Sequence, residues 1–209
     1  MTTLANPWLP EFKEHVFGIG LISLNYNLFE STLQYIMWRY TSIETTNFFF
    51  AKWSNEDRTA AIRHFAGQSE KEPEVLDRID HLMTYYAICA ENRNILMHSR
   101  QSLVEETPGP GFLSIEKRLK DRTGGKNVFH LDIDEIRQVS NEIVDGIVFC
   151  LDIDTYLRDR NSLNRLMSGV AQVPALPSKP PLPHKLDPHR PVVNLQAGVG
   201  PPESSREKS

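Results

Sequence analysis

Residues 73–99 read PEVLDRIDHLMTYYAICAENRNILMHS and carry a helical repeat that sets the fold class. Pro73 suits the first turn of a helix, because the missing N–H of proline leaves no hydrogen bond unmade there. Apolar residues then recur every three or four positions: Val75, Leu76, Ile79, Leu82, Met83, Tyr86, Ala90 and Met97. The stretch predicts a long helix that ends near Ser99 and has one face in the core of a helical domain.

Another long helix is predicted over residues 11–40, which follow Pro10 and contain no further proline. Its apolar residues form two neighbouring stripes, one of Phe17, Leu21, Leu24 and Leu28 and one of Ile22, Phe29, Leu33, Ile36 and Tyr40. So wide an apolar arc predicts a central helix. Asn25 lies near the middle of the arc and Glu30 at its edge, so both are expected to meet polar groups of neighbouring helices.

Two further helices complete the predicted bundle. Ser54 and the acidic residues after it suit a helix start, and Gly67 suits a stop, which predicts a short helix over residues 54–66. Asp132 or Asp134 caps a last helix that runs to about residue 160. Between the third and fourth helices, residues 112–119 and 128–131 suit a small hairpin. The simplest packing is an all-α, four-helix up-and-down bundle with this hairpin as an insertion.

Composition predicts one domain and a tail. The chain has 209 residues, which suits a single core over residues 1–170. Beyond it, prolines recur among polar residues with few apolar neighbours, so residues 171–209 are expected to form a disordered tail. The formal net charge of −4 argues against a protein that holds long nucleic acid mainly by charge.

The cellular setting is predicted from what the sequence contains. The first nine residues have neither a basic nor an apolar run, and no window is apolar enough for a membrane span. We therefore expect a cytoplasmic protein with no membrane partner. Cys89 and Cys150 stand far apart in apolar surroundings, which predicts two buried thiols.

The end of the 73–99 helix carries the residues most suited to chemistry. Asn94 and His98 lie one helical turn apart on one face, and Arg93 lies about 140° from His98 around the helix axis. Because a buried, unpaired charge is costly, Arg93 must have a partner or line a cleft. Glu30 or Asn25 is the expected partner. The alternative is that Arg93 makes a buried salt bridge and His98 only caps the helix end.

The series Arg93, Asn94, three residues and His98, late in the third helix of a bundle, resembles the motif of the HEPN domain family. The resemblance in architecture spans about residues 11–160. It implies a metal-independent endoribonuclease with a toxin, RNA-processing or defence role, acting on RNA as a homodimer through the third helix, with an antitoxin or another protein as a possible partner. His98 would be the general base or acid, Arg93 would bind the scissile phosphate, and Asn94 would orient the phosphate or His98. Many members are inactive, so the alternative to the nuclease is a non-catalytic module that binds RNA or protein, or a scaffold.

Other candidate sites are weaker. Gly18 and Gly20 lie inside a helical pattern and indicate close packing, and the glycines at 124–125 indicate a hairpin turn. The acidic pairs at 132 and 134 and at 152 and 154 fit helix caps or solvated faces, so no metal or other cofactor is predicted. The aromatic residues between Trp38 and Trp53 predict a core lid or a surface that binds a partner.

Overall fold

Helices form most of the structure, a computed structural model that describes residues 12–101, 111–118, 125–163, 175–188 and 190–192. The five helices of this part of the chain are α1 (Lys13–Trp38), α2 (Ile43–Lys52), α3 (Asn55–Ser69), α4 (Pro73–His98) and α5 (Ile133–Leu163). Its four strands are β1 (Arg100–Gln101), β2 (Leu113–Arg118), β3 (Lys126–Leu131) and β4 (Arg190–Val192). The prediction of a mainly helical bundle is confirmed.

The helix directions differ from an up-and-down bundle of four. Asn25 of α1 bonds Ser140 of α5, and Arg39 bonds Asp154; both pairs are 115 residues apart, so α1 and α5 run parallel. α3 also runs parallel to α1, since Tyr26 bonds Asn55 and Tyr40 bonds Glu70. The predicted order of four alternating helices is therefore wrong, because an extra short helix, α2, turns the chain back before α3.

α2 lies among the aromatic residues between Trp38 and Trp53, where the sequence pattern predicts no helix. The side chain of Ser42 caps it by accepting a hydrogen bond from the backbone N–H of Thr45 at 3.1 Å. Phe49, Trp53 and Phe65 then stack, with 4.0 Å between the ring centres of Phe49 and Trp53. Part of the aromatic cluster is thus packing, as the core-lid alternative predicted, while Phe48 remains exposed.

The core lies between α1, α4 and α5. Its largest fully buried side chains include Tyr26, Phe29, Leu33, Tyr85 and Tyr86. Gly18 is a close-packing position as predicted, because a Cβ there would lie 2.7 Å from Cγ2 of Ile136, whereas Gly20 has open space around it. Cys89 and Cys150 are both free and buried, and burial raises the pKa of the Cys150 thiol to about 12.

The outer side of α1 differs from the prediction of a helix packed on both apolar stripes. Ile22, Phe29, Leu33 and Ile36 are completely buried, as expected. Phe17, Leu24 and Leu28 of the other stripe are instead more than half exposed. α3, α4 and α5 contact the side of α1 that carries Tyr26 and Phe29.

The predicted hairpin is present as β2 and β3, paired antiparallel with Ile115 opposite Phe129. It belongs to a larger sheet of order β1-β2-β3-β4, in which β1 directly follows α4 and β4 comes from the C-terminal region. Leu113, Ile115, Phe129 and Leu131 bury their side chains. The sheet therefore extends the core beyond the end of α4, where the candidate site lies.

The prediction of a disordered tail is wrong for residues 175–188 and 190–192. The buried amide of Asn92 donates from Nδ2 to the carbonyl of His184 at 2.8 Å and accepts at Oδ1 from the N–H of Leu186 at 3.1 Å. His184 also contacts the carboxylate of Glu142 at 2.9 Å, and Leu186 is 5% exposed. These contacts order a proline-rich segment whose own composition offers little core. Residues 193–209 lie outside the described part.

Within the described ranges, no helix combines the length and the apolar character needed to span a bilayer.

Candidate functional site

Arg93, Asn94 and His98 come together at the C-terminal end of α4. Nη1 of Arg93 donates a hydrogen bond to Oδ1 of Asn94 at 3.0 Å, and the same nitrogen lies 3.5 Å from Nε2 of His98. Arg93 and Asn94 are half-buried, while His98 is exposed. The helix end thus presents a guanidinium, an amide and an imidazole side by side to solvent.

An aromatic ring supports the guanidinium. Cζ of Arg93 lies 5.6 Å from the centre of the Tyr26 ring, a cation–π distance. Tyr26 is itself fixed, because its ring stacks on Tyr86 with 5.4 Å between ring centres and its hydroxyl accepts a hydrogen bond from Asn55 at 2.7 Å. Burial raises the pKa of both phenols well above the ordinary value, so both stay neutral.

Arg93 has no carboxylate partner among the described residues, and its buried Nε has no hydrogen-bond partner there either. The predicted partnership with Glu30 or Asn25 is wrong. Glu30 accepts from Nη1 of Arg58 at 2.6 Å and from the hydroxyl of Tyr86 at 3.1 Å, and Asn25 donates to Ser140. Since no described carboxylate contacts Arg93, the alternative of a buried salt bridge has no support in this part of the chain.

Glu30 nevertheless contributes to the site indirectly, through Tyr86 and Tyr26. Its carboxylate holds the Tyr86 hydroxyl, Tyr86 stacks on Tyr26, and Tyr26 lies under Arg93. Arg58 compensates the charge of Glu30, so this carboxylate is not available to neutralise Arg93. The arrangement positions Arg93 while leaving its positive charge for another anion.

A groove runs beside Asn94, the one of the three residues that lines it. One part, of about 450 Å³, lies between α3 and α4 and is lined by Asn94, Glu91, Glu56 and Lys117 among others. A second part, of about 380 Å³, shares Glu91 and Lys117 and continues along Arg118 and Lys185. Lys117 and Arg118 lie on β2, on the rim of this groove. The groove is therefore lined by both signs of charge, with the cations mainly on the strand side.

Several residues of the site were not found by sequence reasoning. Tyr26 and Lys117 reach the site from α1 and β2, which no spacing along the chain brings together with α4. Asn92, 1% exposed, was missed although an asparagine on the apolar side of a helix was the available signal. Asp132 is a helix cap as predicted, since it accepts from the N–H of Glu135 near the start of α5. The prediction of a cap or a solvated face is wrong for Asp154, which is 7% exposed inside α5 and bonds Arg39.

Comparisons with protein-family models, with curated proteins and with solved structures returned no match for this chain.

Proposed function

We propose that the chain is a metal-independent endoribonuclease of the HEPN type that acts through Arg93, Asn94 and His98. The observation that carries the proposal is the half-buried guanidinium of Arg93, which has no described carboxylate partner and lies 3.5 Å from Nε2 of the exposed His98. A cation in that setting favours an anionic ligand, and phosphate is one of the two anions, with carboxylate, whose geometry matches the guanidinium fork. A phosphodiester bound there would lie within reach of the imidazole.

The reaction follows from these groups. His98 takes the proton of a ribose 2′-hydroxyl, whose oxygen attacks the phosphorus while the bond to the 5′-oxygen breaks. Arg93 donates to the non-bridging oxygens and stabilises the charge that they gain. Asn94 fixes Arg93 through Oδ1 and keeps its amide nitrogen for the phosphate. The products are a 2′,3′-cyclic phosphate and a 5′-hydroxyl, and side chains supply every proton transfer.

The 5′-oxygen needs a proton while His98 holds the one it has just accepted. In the arrangement implied by the family resemblance, a second copy packed through α4 supplies another His98 for this step. The solvent-facing strip of α4 that such a pair would use includes Ala87, Glu91, Asn94 and His98. On the rim of the groove, Lys117 and Arg118 would contact the phosphates that neighbour the cleaved one.

A non-catalytic module that binds RNA or protein is the second candidate. The observation in its favour is that Glu56 and Glu91 line the groove beside Asn94. Carboxylates repel an RNA backbone and lower the affinity that a nuclease draws from counterion release. In this alternative, Arg93 binds one phosphate or one carboxylate of a partner and His98 transfers no proton.

The test is cleavage of a mixed RNA pool in EDTA by the wild type and by Arg93→Ala, His98→Ala and His64→Ala, followed by analysis of the RNA ends. His64 is an exposed histidine on α3 and serves as the matched control. We expect cyclic-phosphate ends with the wild type and His64→Ala, and a loss of at least about 100-fold with His98→Ala. The nuclease proposal would be refuted if His98→Ala still cleaved RNA, or if no folded sample cleaved RNA at all. If RNA binding were then lost in Arg93→Ala alone, the result would favour the non-catalytic binding module.

A further inference from the structure

The outer side of the α1 and α5 pair is apolar although it faces solvent. On α1, the exposed residues are Phe17 (68%), Leu21 (37%), Leu24 (66%), Leu28 (52%) and Tyr35 (38%). On α5 they are Val144 (42%), Val148 (51%) and Leu151 (39%). Taking about 180 Å² for a fully exposed large side chain, these fractions correspond to roughly 700 Å² of exposed apolar side chain. A typical monomer has a largest apolar patch of about 300–600 Å².

The exposed apolar residues of α1 form one row, those of α5 form another, and the two rows form one surface. α1 and α5 run parallel with an offset of 115 residues, which sets Val144 within one residue of the level of Leu28 and Leu151 within one residue of the level of Tyr35. At about 100° per residue, Leu28 lies about 60° around α1 from Asn25, and Val144 lies about 40° around α5 from Ser140. Since Asn25 and Ser140 bond each other, both rows flank the contact line between the helices. We call this surface the α1/α5 face.

The face carries almost no charge. From residue 15 to residue 38, Glu30 is the one Asp, Glu, Lys or Arg, and its carboxylate lies on the opposite side of α1, against Arg58. From residue 138 to residue 151, the charged residues are Glu142, which contacts His184, and Asp145. Ion pairs stand at the two ends, Glu14 with Arg137 and Arg39 with Asp154.

We infer that the α1/α5 face binds a second copy of this chain. Roughly 700 Å² is close to the about 800 Å² that each partner buries in a stable interface of standard size. A nucleic acid or a charged peptide would find no opposite charge on this face, whereas a second copy presents the same neutral apolar surface. Contact of a patch with its own copy closes as a two-fold dimer and covers the α1/α5 face of both copies.

This pairing differs from the α4 pairing of the proposed nuclease. Tyr26, which supports Arg93, projects from α1 about 160° away from Leu24 and Leu28. A dimer through the α1/α5 face therefore leaves both Arg93 and His98 open to solvent in each copy. The inference stands on the apolar face alone and does not depend on RNA cleavage.

The experiment is the mass in solution of the full chain, by light scattering or sedimentation at micromolar concentrations. We expect a dimer, or a tetramer if α4 pairs as well, and a twofold fall in mass for the double variant Leu24→Glu and Val148→Glu. The matched control is Ile43→Glu with Phe48→Glu, which places the same charges on exposed apolar residues of α2 and is expected to keep the wild-type mass. The single variant Leu24→Lys repeats the test with the opposite charge if the double variant does not fold.

A monomeric wild type, or an unchanged mass for both Leu24 variants in folded samples, overturns the inference. A fall in mass for Ala87→Glu on α4, with none for the Leu24 variants, overturns it too and assigns the contact to α4. Cleavage assays on the same samples separate the two proposals, because a dimer through the α1/α5 face with no RNA cleavage supports this inference and counts against the nuclease alone.

Discussion

The guanidinium carbon of Arg93 lies 5.6 Å from the centre of the Tyr26 ring. Tyr26 lies on α1, so this contact joins the candidate site on α4 to another helix. The ring contributes through its π face and the hydroxyl through Asn55. These two contributions can be separated by substitution, because phenylalanine keeps the ring and removes only the hydroxyl.

We predict that Tyr26→Leu weakens binding of a short single-stranded RNA several-fold, whereas Tyr26→Phe stays within about twofold of the wild type. A cation–π contact of about 1 kcal/mol corresponds to roughly fivefold in affinity. Fluorescence anisotropy at low salt measures it, at a temperature where melting curves show all three proteins folded. Equal losses in the two variants would mean that the ring does not position Arg93 for RNA.

Residues within one helix were the part of the site that sequence could predict. Arg93, Asn94 and His98 are close in sequence, so helix geometry alone places them at one helix end. The partner of Arg93 was predicted wrongly because Glu30 bonds Arg58 of α3 and Tyr86 of α4 instead, and these contacts depend on the tertiary packing. The same holds for Tyr26, which is 67 residues from Arg93 along the chain.

In the fold, too, local patterns could be predicted from the sequence, whereas contacts between distant segments could not. The periodic stretches gave α1, α4 and α5, but the threonines and the run Phe48, Phe49 and Phe50 hid the period of α2. The order of residues 175–188 depends on Asn92 and Glu142, which lie 92 and 42 residues before His184, the residue that both contact. Composition describes what a segment can bury by itself, and here the buried surface is supplied by another part of the molecule.

Two helical glycines give opposite predictions for stability. A Cβ on Gly146 would lie 2.6 Å from Cε1 of Phe29 and 2.7 Å from Cε1 of Tyr85, both in the core. Gly146→Ala should therefore lower the free energy of unfolding by about 1–3 kcal/mol through overpacking. Gly67 on α3 has nothing within 4 Å of such a Cβ, so Gly67→Ala should raise it by about 0.5–1 kcal/mol. Urea unfolding measures both, and a stabilised Gly146→Ala would contradict the packing of α1, α4 and α5.

The connection between α3 and α4 predicts a specific dependence on pH. Glu70, whose side chain is 4% exposed, accepts two hydrogen bonds from the guanidinium of Arg160 at 3.1 and 2.8 Å. Burial opposes ionisation, but Arg160 and the backbone N–H groups of Lys71 and Glu72 hold the pKa of the Glu70 carboxyl below its ordinary value. A lowered pKa in the folded state stabilises the protein above the unfolded pKa of about 4.3, and the stabilisation is lost as the pH falls.

We therefore expect Glu70→Gln to lower the free energy of unfolding at pH 7 and to flatten its decline below about pH 4.5. The control is Glu74→Gln, at an exposed position in the first turn of α4, which should keep the wild-type slope. Chemical unfolding at a series of pH values from 7 to 2.5 measures the slopes. An identical acid slope for Glu70→Gln and the wild type would show that the bond to Arg160 does not contribute.

The amide of Asn92 predicts how residues 175–188 are held. It is 1% exposed and makes both of its hydrogen bonds to the backbone of this segment, so Asn92→Leu removes the donor and the acceptor together. We expect the segment to be released and the peptide bond after Lys185 to become accessible to trypsin, at least about tenfold faster than in the wild type if about 1.4 kcal/mol of local stability is lost. Lys179 precedes proline and is a poor trypsin site, so cleavage reports on Lys185.

Asn94→Leu is the matched control, because it removes an asparagine two residues further along α4 whose side chain bonds Arg93 and not the segment. It should leave cleavage after Lys185 at the wild-type rate while affecting any process that depends on Arg93. Mass spectrometry of timed digests identifies the site and the rate. Equal cleavage rates in the wild type and Asn92→Leu would mean that Leu186 and His184 hold the segment without Asn92, and faster cleavage in Asn94→Leu would assign the effect to a general loosening of α4.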